Sequence, residues 1–374
     1  MRVTELALTD FRCYRSAHLV PAPGVTVIVG ANGQGKTSLL EAVGWAATAR
    51  SFRRVPDAVL VRAGCDQAIL RAEVEDDGRA QLLEAEVRAQ GRNRVRLNRH
   101  PVARTRDLLG LLRVTVFGPD DLELVKGGPA ARRGYLDDLL VAITPRYEAA
   151  RSDFERVLRQ RNALLRQGVT GDDAERTLAV FDDQLVGAGG ELVRGRLGLV
   201  DRLTGPIGAA YQSLAGGAAE VGAAYEAEWA EGPVPPGADA PAPDEVEELL
   251  RAALVARHRQ ERDRGVTLVG PHRDEWRLHV DGLDARAHAS QGEQRTLALA
   301  LRLAGHRVCT DLVGRAPVLL LDDVFSELDP QRAEALVAHL PDGQSLLTTA
   351  SSVPNGIRPE RRLRVGDGRV EEDE

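Results

Sequence analysis

Hydrophobic and polar positions change their rhythm several times along the chain. Residues 2–9 (RVTELALT) alternate as a half-buried strand does. Residues 25–29 (VTVIV) form an unbroken β-branched run, which predicts a strand buried on both faces. A glycine-rich turn follows, then a helical pattern from Thr37 to Ala49. Residues 68–117 predict several strands, with turns near Asp76-Asp77-Gly78 and near Gly91. From Pro119 the spacing becomes helical. Thr144-Pro145 reads as an N-cap with proline at the first helical position. Tyr147, Phe154, Val157, Leu158, Leu164 and Leu165 then recur at helical intervals. The stretch Gly168-Val169-Thr170-Gly171 breaks this helix. A second stripe carries Leu178, Phe181, Leu185, Leu192 and Val193. The two stripes predict an antiparallel hairpin, either a pair of bundle helices or a protruding arm. Residues 231–243 (EGPVPPGADAPAP) predict a mobile loop. A helix over 244–263, an apolar strand over 318–321, a helix over 330–340 and a strand over 345–349 complete the pattern. The acidic end, GDGRVEEDE, reads as a solvated tail.

Length and composition narrow the picture. The 374 residues suffice for about two domains. No internal repeat is visible. The α/β character at both ends predicts one discontinuous domain with a helical insertion. Its expected limits are 1–125 and 265–374 for the α/β part, and 126–264 for the inserted lobe. The net charge of −7 excludes a uniformly basic nucleic-acid coat but not a local basic stripe. With only 4% aromatics, a surface built on many stacked bases is not expected. Cys13, Cys65 and Cys309 lie far apart, which fits a reducing cytosol better than a disulfide scaffold or a zinc cluster. The N-terminus has no apolar signal core, and no apolar run approaches a membrane span. The expected location is the cytoplasm.

Gly30-Ala31-Asn32-Gly33-Gln34-Gly35-Lys36-Thr37 fits the phosphate-loop pattern G-x-x-x-x-G-K-[ST]. Its glycines let backbone N–H groups face a phosphate at the start of a helix. Lys36 is expected to reach the β- and γ-phosphates of ATP, and the Thr37 hydroxyl to ligate Mg²⁺. Only two lysines occur in the chain, Lys36 and Lys126, so the loop carries one in a protein that otherwise uses arginine. A compact ammonium suits such a cradle better than a planar guanidinium. Val318–Leu321 runs into Asp322-Asp323. Asp322 stands where a Mg²⁺ carboxylate belongs, and Asp323 where a group that orients or deprotonates water belongs. Ser290-Gln291-Gly292-Glu293-Gln294-Arg295 precedes a helix over 295–308. It reads as a capping box and equally as a second phosphate cradle built on Ser290 and Gly292. Since the glycine loop occupies one side of the nucleotide, the second cradle is expected to meet ATP held by another subunit.

These pieces, in this order, resemble the ABC-type ATPase heads of the SMC and DNA-repair class. Ser326-Glu327-Leu328-Asp329 is similar to the D-loop of those heads. Pro119-Asp120-Asp121-Leu122, Lys126-Gly127-Gly128-Pro129, Arg132-Arg133-Gly134-Tyr135-Leu136-Asp137, Arg161-Asn162-Ala163-Leu164-Leu165 and Gly270-Pro271-His272-Arg273-Asp274 resemble the RecF recombination-repair family more narrowly. So does Leu321–Asp329, and the resemblance spans nearly the whole chain. It implies an ABC-type P-loop ATPase head, a mixed α/β sheet fold with an inserted helical lobe. It also implies ATP and Mg²⁺ as ligands, ATP-dependent homodimerisation, and binding to single-stranded or gapped DNA. The implied partners are RecR- and RecO-type mediators and, through them, a RecA-type recombinase, with a role in the SOS response. Asp323 replaces the glutamate of many transporters, and Thr348-Thr349 stands in place of a switch histidine. Both departures imply slow hydrolysis, and the resemblance implies a weak ATPase that DNA stimulates. No Q-loop glutamine follows the strand ending at Phe117, and Asp120 or Asp121 is the expected substitute.

Residues 88–106 carry seven arginines and no acid. In a strand, Arg92, Arg94 and Arg96 would share one face and could neutralise DNA phosphates. A solvated hairpin is the plainer reading. Arg53-Arg54 is a weaker candidate. His272-Arg273 beside Asp274 reads as a local salt bridge. Two other functions use the same nucleotide motifs. A transporter ATPase is disfavoured by the helical insertion, the absent switch histidine and the arginine stripe. An ATP-dependent nuclease of the overcoming-lysogenisation type needs a further C-terminal domain, and too few residues follow Asp323. An SMC-like structural ATPase is the remaining alternative.

Overall fold

The computed structural model describes residues 1–169, 171–230, 232–237, 240–350 and 353–373. The chain folds into two compact units. The first comprises Met1–Asp121, Ser213–Gly216 and Leu299–Glu374; the second comprises Leu122–Gln212 and Gly217–Ala298.

The first unit holds two six-stranded sheets. One is antiparallel, in the order β2 (Tyr14–Leu19), β1 (Arg2–Phe11), β4 (Gln67–Asp76), β5 (Arg79–Arg88), β6 (Arg94–Leu97), β7 (His100–Pro101). Its strands bury alternate residues: Ala68, Leu70, Ala72 and Val74 of β4 are buried, while Arg71 and Glu73 are exposed. The other sheet runs β16 (Arg369–Glu372), β15 (Arg361–Gly366), β3 (Val25–Val29), β14 (Ser345–Thr349), β13 (Val318–Asp322), β8 (Val114–Phe117). All its pairings are parallel except β15 with β16. Every residue of β13 and β14 is buried, and Val318–Leu321 of β13 accordingly reads as an apolar run without alternation. Helix α1 (Lys36–Thr48) packs against strands of both sheets, with Leu39, Leu40, Val43 and Trp45 fully buried. Gln344 stitches the sheets together. Its amide accepts from the Val3 N–H at 2.7 Å and donates to the Val3 and Ala22 carbonyls at 2.8 and 2.9 Å. Helix α9 (Pro330–Ala338) is capped by Asp329, whose carboxylate accepts the Arg332 N–H.

The second unit is mainly helical: α2 (Glu123–Lys126), α3 (Pro129–Ile143), α4 (Tyr147–Gln167), α5 (Asp172–Ala215, whose residues from Ser213 belong to the first unit), α6 (Pro243–Arg264) and α7 (Ala285–His288). It also holds a four-stranded sheet in the order β10 (Gly232–Val234), β9 (Val221–Ala227), β11 (Glu275–Val280), β12 (Leu283–Asp284). Helix α8 (Gln291–Val313) begins here, and its residues from Leu299 onward belong to the first unit. Helices α4 and α5 form the antiparallel hairpin. Leu165 clusters with Leu178, Arg161 pairs with Asp182 at 2.6 Å, and a Cβ on Gly189 would touch Phe154, so one helix rises as the other descends.

Four expectations are corrected. Thr144-Pro145 lies before α4, which starts at Tyr147 and has no side-chain cap; the two carbonyls instead accept from Tyr147 and Glu148 N–H. Thr170, in the predicted break, lies outside the described residues. Within 231–243, Gly232–Val234 pairs with β9 as strand β10, because Val234 buries its side chain; residues 231, 238 and 239 lie outside the described residues. The acidic end is not a free tail. Strand β16 pairs with β15, and the Asp373 side chain, 6% exposed, is bracketed by Arg362 and Arg364; residue 374 lies outside the described residues. The helix predicted from 295 opens four residues earlier, at Gln291.

Candidate nucleotide site

Strand β3 ends at Val29 and delivers the loop 30–37 to the start of α1. Two glycines of the loop are demanded by contact. A Cβ on Gly30 would lie 2.5 Å from the Val365 carbonyl oxygen, and one on Gly35 2.5 Å from Cys13 Sγ and 2.8 Å from the Tyr14 hydroxyl. Gly35 also has φ +107°, a left-handed conformation that penalises any side chain. Gly33, at φ +80°, would meet nothing within 4 Å, so its backbone lies open. Between them, the Gln34 amide oxygen accepts from the Asp367 N–H at 3.0 Å, which ties the loop to the β15–β16 turn. Ala31 and Asn32 complete the loop, with Gln34 N–H bonded to the Ala31 carbonyl. Lys36 is 6% exposed, and its Nζ donates to the Gly30 and Ala31 carbonyls at 2.7 and 3.1 Å. The ammonium is therefore centred on the loop it was expected to serve.

Asp322 closes the other side. The hydroxyls of Thr37 and Thr348 donate to its Oδ1 at 2.8 and 2.9 Å. Parallel pairing of β13 with β14 and of β14 with β3 brings residues 285 positions apart into contact. Burial pushes the Asp322 carboxyl up; the two hydroxyls and the charge of Arg53 oppose that shift, and Asp323 adds to it. Arg53, a weak candidate from sequence, thus acts electrostatically on the strand-end acid. Asp323 adopts a left-handed φ of 51°, and its N–H donates to Thr348 Oγ1 at 3.0 Å. Its Oδ1 is buried and has no hydrogen-bond partner among the described residues. A hydroxyl and a carboxylate oxygen side by side form an oxygen donor pair of the kind Mg²⁺ takes together with phosphate oxygens. Thr348 is the member that sequence reasoning undervalues. In sequence it stands out only for not being histidine, yet it braces both acids.

Of the two Q-loop substitutes, Asp121 is committed. It is 7% exposed and bonded to the Gly118 N–H and to Arg302, whereas Asp120 is exposed.

Ser290 is exposed and forms the predicted capping box. Its N–H donates to Glu293 Oε2 at 2.7 Å, and its Oγ accepts the Glu293 N–H at 3.3 Å. Gly292 lies in the first turn of α8, its carbonyl accepting from the Thr296 hydroxyl. This helix start belongs to the second unit.

The arginine stripe is reshaped by the fold. Arg94 and Arg96 share an exposed face of β6, but Arg92 precedes the strand and is not fixed to that face by it. The next strand sets acids opposite: Glu86 faces Arg94 and Glu84 faces Arg96. Glu86 also pairs with Arg88. These acids arrive by strand pairing and are invisible in the composition of 88–106.

Buried arginines build the interior of the second unit. Arg161 is fully buried and bonds Glu261 at 2.6 Å and Thr267 Oγ1 at 2.9 Å. Arg132 forks onto Glu275, and Arg196 onto Asp137. The local salt bridge expected at His272-Arg273-Asp274 does not form. Asp274 accepts instead from Tyr225 and Trp229, and both His272 and Arg273 turn to the Thr267 carbonyl. Burial raises Asp274 to about 6 and lowers His272 to about 4.

The family model described as RecF/RecN/SMC N terminal domain matches residues 2–349. A DNA replication and repair protein RecF of Frankia alni is 48% identical over 363 residues, covering 94% of this chain and 93% of that protein. This chain belongs to the RecF family. A RecF of Kineococcus radiotolerans is 44% identical, covering 98% of this chain and 97% of the other. The solved structure of the recombination mediator protein RecF with ATP, in the RecFOR pathway, superposes with a TM-score of 0.88 at 28% identity, covering 99% of each chain. The Smc head domain of Pyrococcus furiosus matches with a TM-score of 0.56 at 16% identity, covering 99% of this chain and 95% of that one, which shows a shared fold. The fold is that of an ABC-type ATPase head. Among the described residues, no helix is long and apolar enough to cross a membrane.

Proposed function

We propose that this chain is an ATP-gated DNA-binding protein of recombination repair, a slow ATPase whose activity DNA stimulates. The observation that carries the reading is the junction of Thr37 with Asp322 at 2.8 Å, beneath a loop whose lysine is centred on its own carbonyls. In this reading Gly30 to Thr37 cradle the ATP phosphates, Lys36 meets the β- and γ-phosphates, and Thr37 with Asp322 hold Mg²⁺. The metal supplies charge neutralisation on the phosphates when bound. Asp323 positions water, which the unpartnered Oδ1 supports. Ser290 and Gly292 form the cradle for the γ-phosphate held by a second subunit. An exposed, capped helix start supports that role. ATP then favours the dimer by mass action, and hydrolysis releases it.

DNA is the second ligand, single-stranded or gapped, with Arg94 and Arg96 as backbone contacts and Arg92 as a flanking one. The partners in this reading are RecO- and RecR-type mediators that lead to loading of a RecA-type recombinase in the cytoplasm, and thereby to the SOS response. The test is DNA binding measured across a salt series with ATP, with ADP and without nucleotide. ATP should tighten binding at every salt concentration. Identical curves in all three states would reject the ATP-gated reading.

A further inference from the structure

The strand-end acid has a neighbour whose anchoring the nucleotide motifs do not explain. Strand β8 runs parallel to β13 with Phe117 opposite Leu321, which brings Gly118 level with Asp322. A Cβ on Gly118 would lie 3.9 Å from the Asp322 Cβ, an ordinary van der Waals contact. The turn 118–121 thus borders the carboxylate that Thr37 and Thr348 hold. Asp121 closes this turn twice. Its N–H donates to the Gly118 carbonyl, and its Oδ2 accepts the Gly118 N–H, both at 3.0 Å. The other oxygen, Oδ1, accepts from Arg302 Nε at 2.9 Å and Nη2 at 2.6 Å. Asp121 is 7% exposed, and the Arg302 side chain 26%. Charge-assisted bonds in a partly desolvated setting are the strong kind, and a planar guanidinium holds direction as well as distance.

We propose that Asp121 and Arg302 are positioning residues of the ATP site: their ion pair fixes the Gly118–Asp121 turn against the end of β13 and so sets where Asp322 stands relative to Thr37. Asp121 then occupies the Q-loop position as a structural brace, leaving Asp120 exposed beside it. Arg302 lies on α8, about three turns beyond the first residue of that helix. The brace therefore ties the acid of the site to the part of α8 from Leu299 onward, which lies in the same unit. The brace rests on the ATPase reading given above.

The experiment compares the full-length chain with Arg302→Gln, Arg302→Lys and the charge-swapped double variant Asp121→Arg/Arg302→Asp. ATP affinity in EDTA, the KM for ATP, the maximal turnover and the Mg²⁺ concentration for half-maximal turnover are measured for each. Circular dichroism confirms that each variant is folded. Arg302→Gln should keep metal-free ATP affinity and KM within about threefold, lower turnover at least tenfold and raise the Mg²⁺ requirement several-fold. Arg302→Lys should fall between, because it keeps the charge and loses the fork. The charge swap restores an ion pair but not the acceptor for the Gly118 N–H, so its turnover should stay at least as low as that of Arg302→Gln. Unchanged turnover and Mg²⁺ requirement in folded Arg302→Gln would overturn the proposal. So would loss of metal-free ATP affinity in step with turnover, which is the mark of general damage. If Arg302→Gln does not fold, Arg302→Lys decides by the same criteria. An unmutated chain that neither binds nor hydrolyses ATP would refute the ATPase reading itself. A working unmutated chain with an indifferent Arg302→Gln would refute only the brace.

Discussion

Lys36→Ala isolates one ammonium, and its effect can be worked out from the loop. Nζ donates to the Gly30 and Ala31 carbonyls at 2.7 and 3.1 Å, so the free protein already satisfies this charge in part. A phosphate charge about 4 Å away, at an effective dielectric constant of about 20, is worth about 4 kcal/mol. Reaching it means giving up two carbonyl hydrogen bonds of about 0.5–1.5 kcal/mol each. The difference is about 2 kcal/mol, or roughly 30-fold in Kd. The fold should survive. Alanine is a good residue for the first turn of α1, and the carbonyls left behind are only part-buried, so water can reach them. Isothermal titration with ATP-Mg²⁺, alongside thermal unfolding, measures both quantities. A folded Lys36→Ala protein with unchanged ATP affinity would show that the loop does not hold the phosphates. A loss of about a thousandfold would show that the resting hydrogen bonds do not offset the phosphate contact.

Asp322→Asn should keep metal-free ATP binding and lose Mg²⁺-dependent turnover, whereas Asp323→Asn should bind ATP and accumulate in the ATP-bound state; normal turnover in the latter would assign water positioning to another group. Gly35→Ala should destabilise the first unit by at least about 1–3 kcal/mol through its left-handed φ alone, with the contacts to Cys13 and Tyr14 adding to this, while Gly33→Ala, which meets nothing, should cost less; equal urea midpoints would refute the distinction. His306 is buried with its Nδ1 on the Thr115 hydroxyl, and burial lowers it to about 4. The unfolded chain protonates this residue near pH 6.5, so the unfolded state binds more protons between pH 6.5 and 4, and stability should fall by up to about 3 kcal/mol as pH drops through that window. His306→Asn should flatten this loss in urea unfolding; an unaltered acid slope would contradict the assignment. Removing charge at Arg94 and Arg96 should weaken DNA binding alike across sequences and flatten its salt dependence by about one unit of slope per lost phosphate contact; an unchanged slope would return β6 to a plain hairpin.

The glycine loop, the apolar strands and the acid pair are legible from sequence because each is local. A glycine pattern, an unbroken apolar run and a strand-end acid need no knowledge of what lies beside them. The pairing of Thr37 with Asp322 is inferable only from motif order, since no periodicity links positions so far apart. Thr348 is invisible as a brace for the same reason: it reaches the acids through the β13–β14 pairing. Long-range partners also explain the misreadings. Glu84 and Glu86 arrive opposite Arg96 and Arg94 by strand pairing, and Asp274 finds Tyr225 and Trp229 rather than its chain neighbours. The acidic end looks solvated in sequence because Arg362 and Arg364, which bracket Asp373, lie on another strand. Arg161 and Glu261 carry no signal of burial, since charged residues at helical spacing ordinarily face solvent.

In the proposed mechanism one ATP is gripped by two subunits, by the glycine loop of one and the Ser290–Gly292 helix start of the other. Sedimentation velocity of the full-length chain with saturating ATP-Mg²⁺ and DNA, using Asp323→Asn to hold the ATP state, tests it most directly. A dimer is expected with ATP and a monomer with ADP. Ser290→Arg should leave monomer ATP affinity near normal and abolish the dimer, with one site restored on mixing with Lys36→Ala subunits. A chain that stays monomeric at high concentration under saturating ATP-Mg²⁺ and DNA would contradict the shared grip.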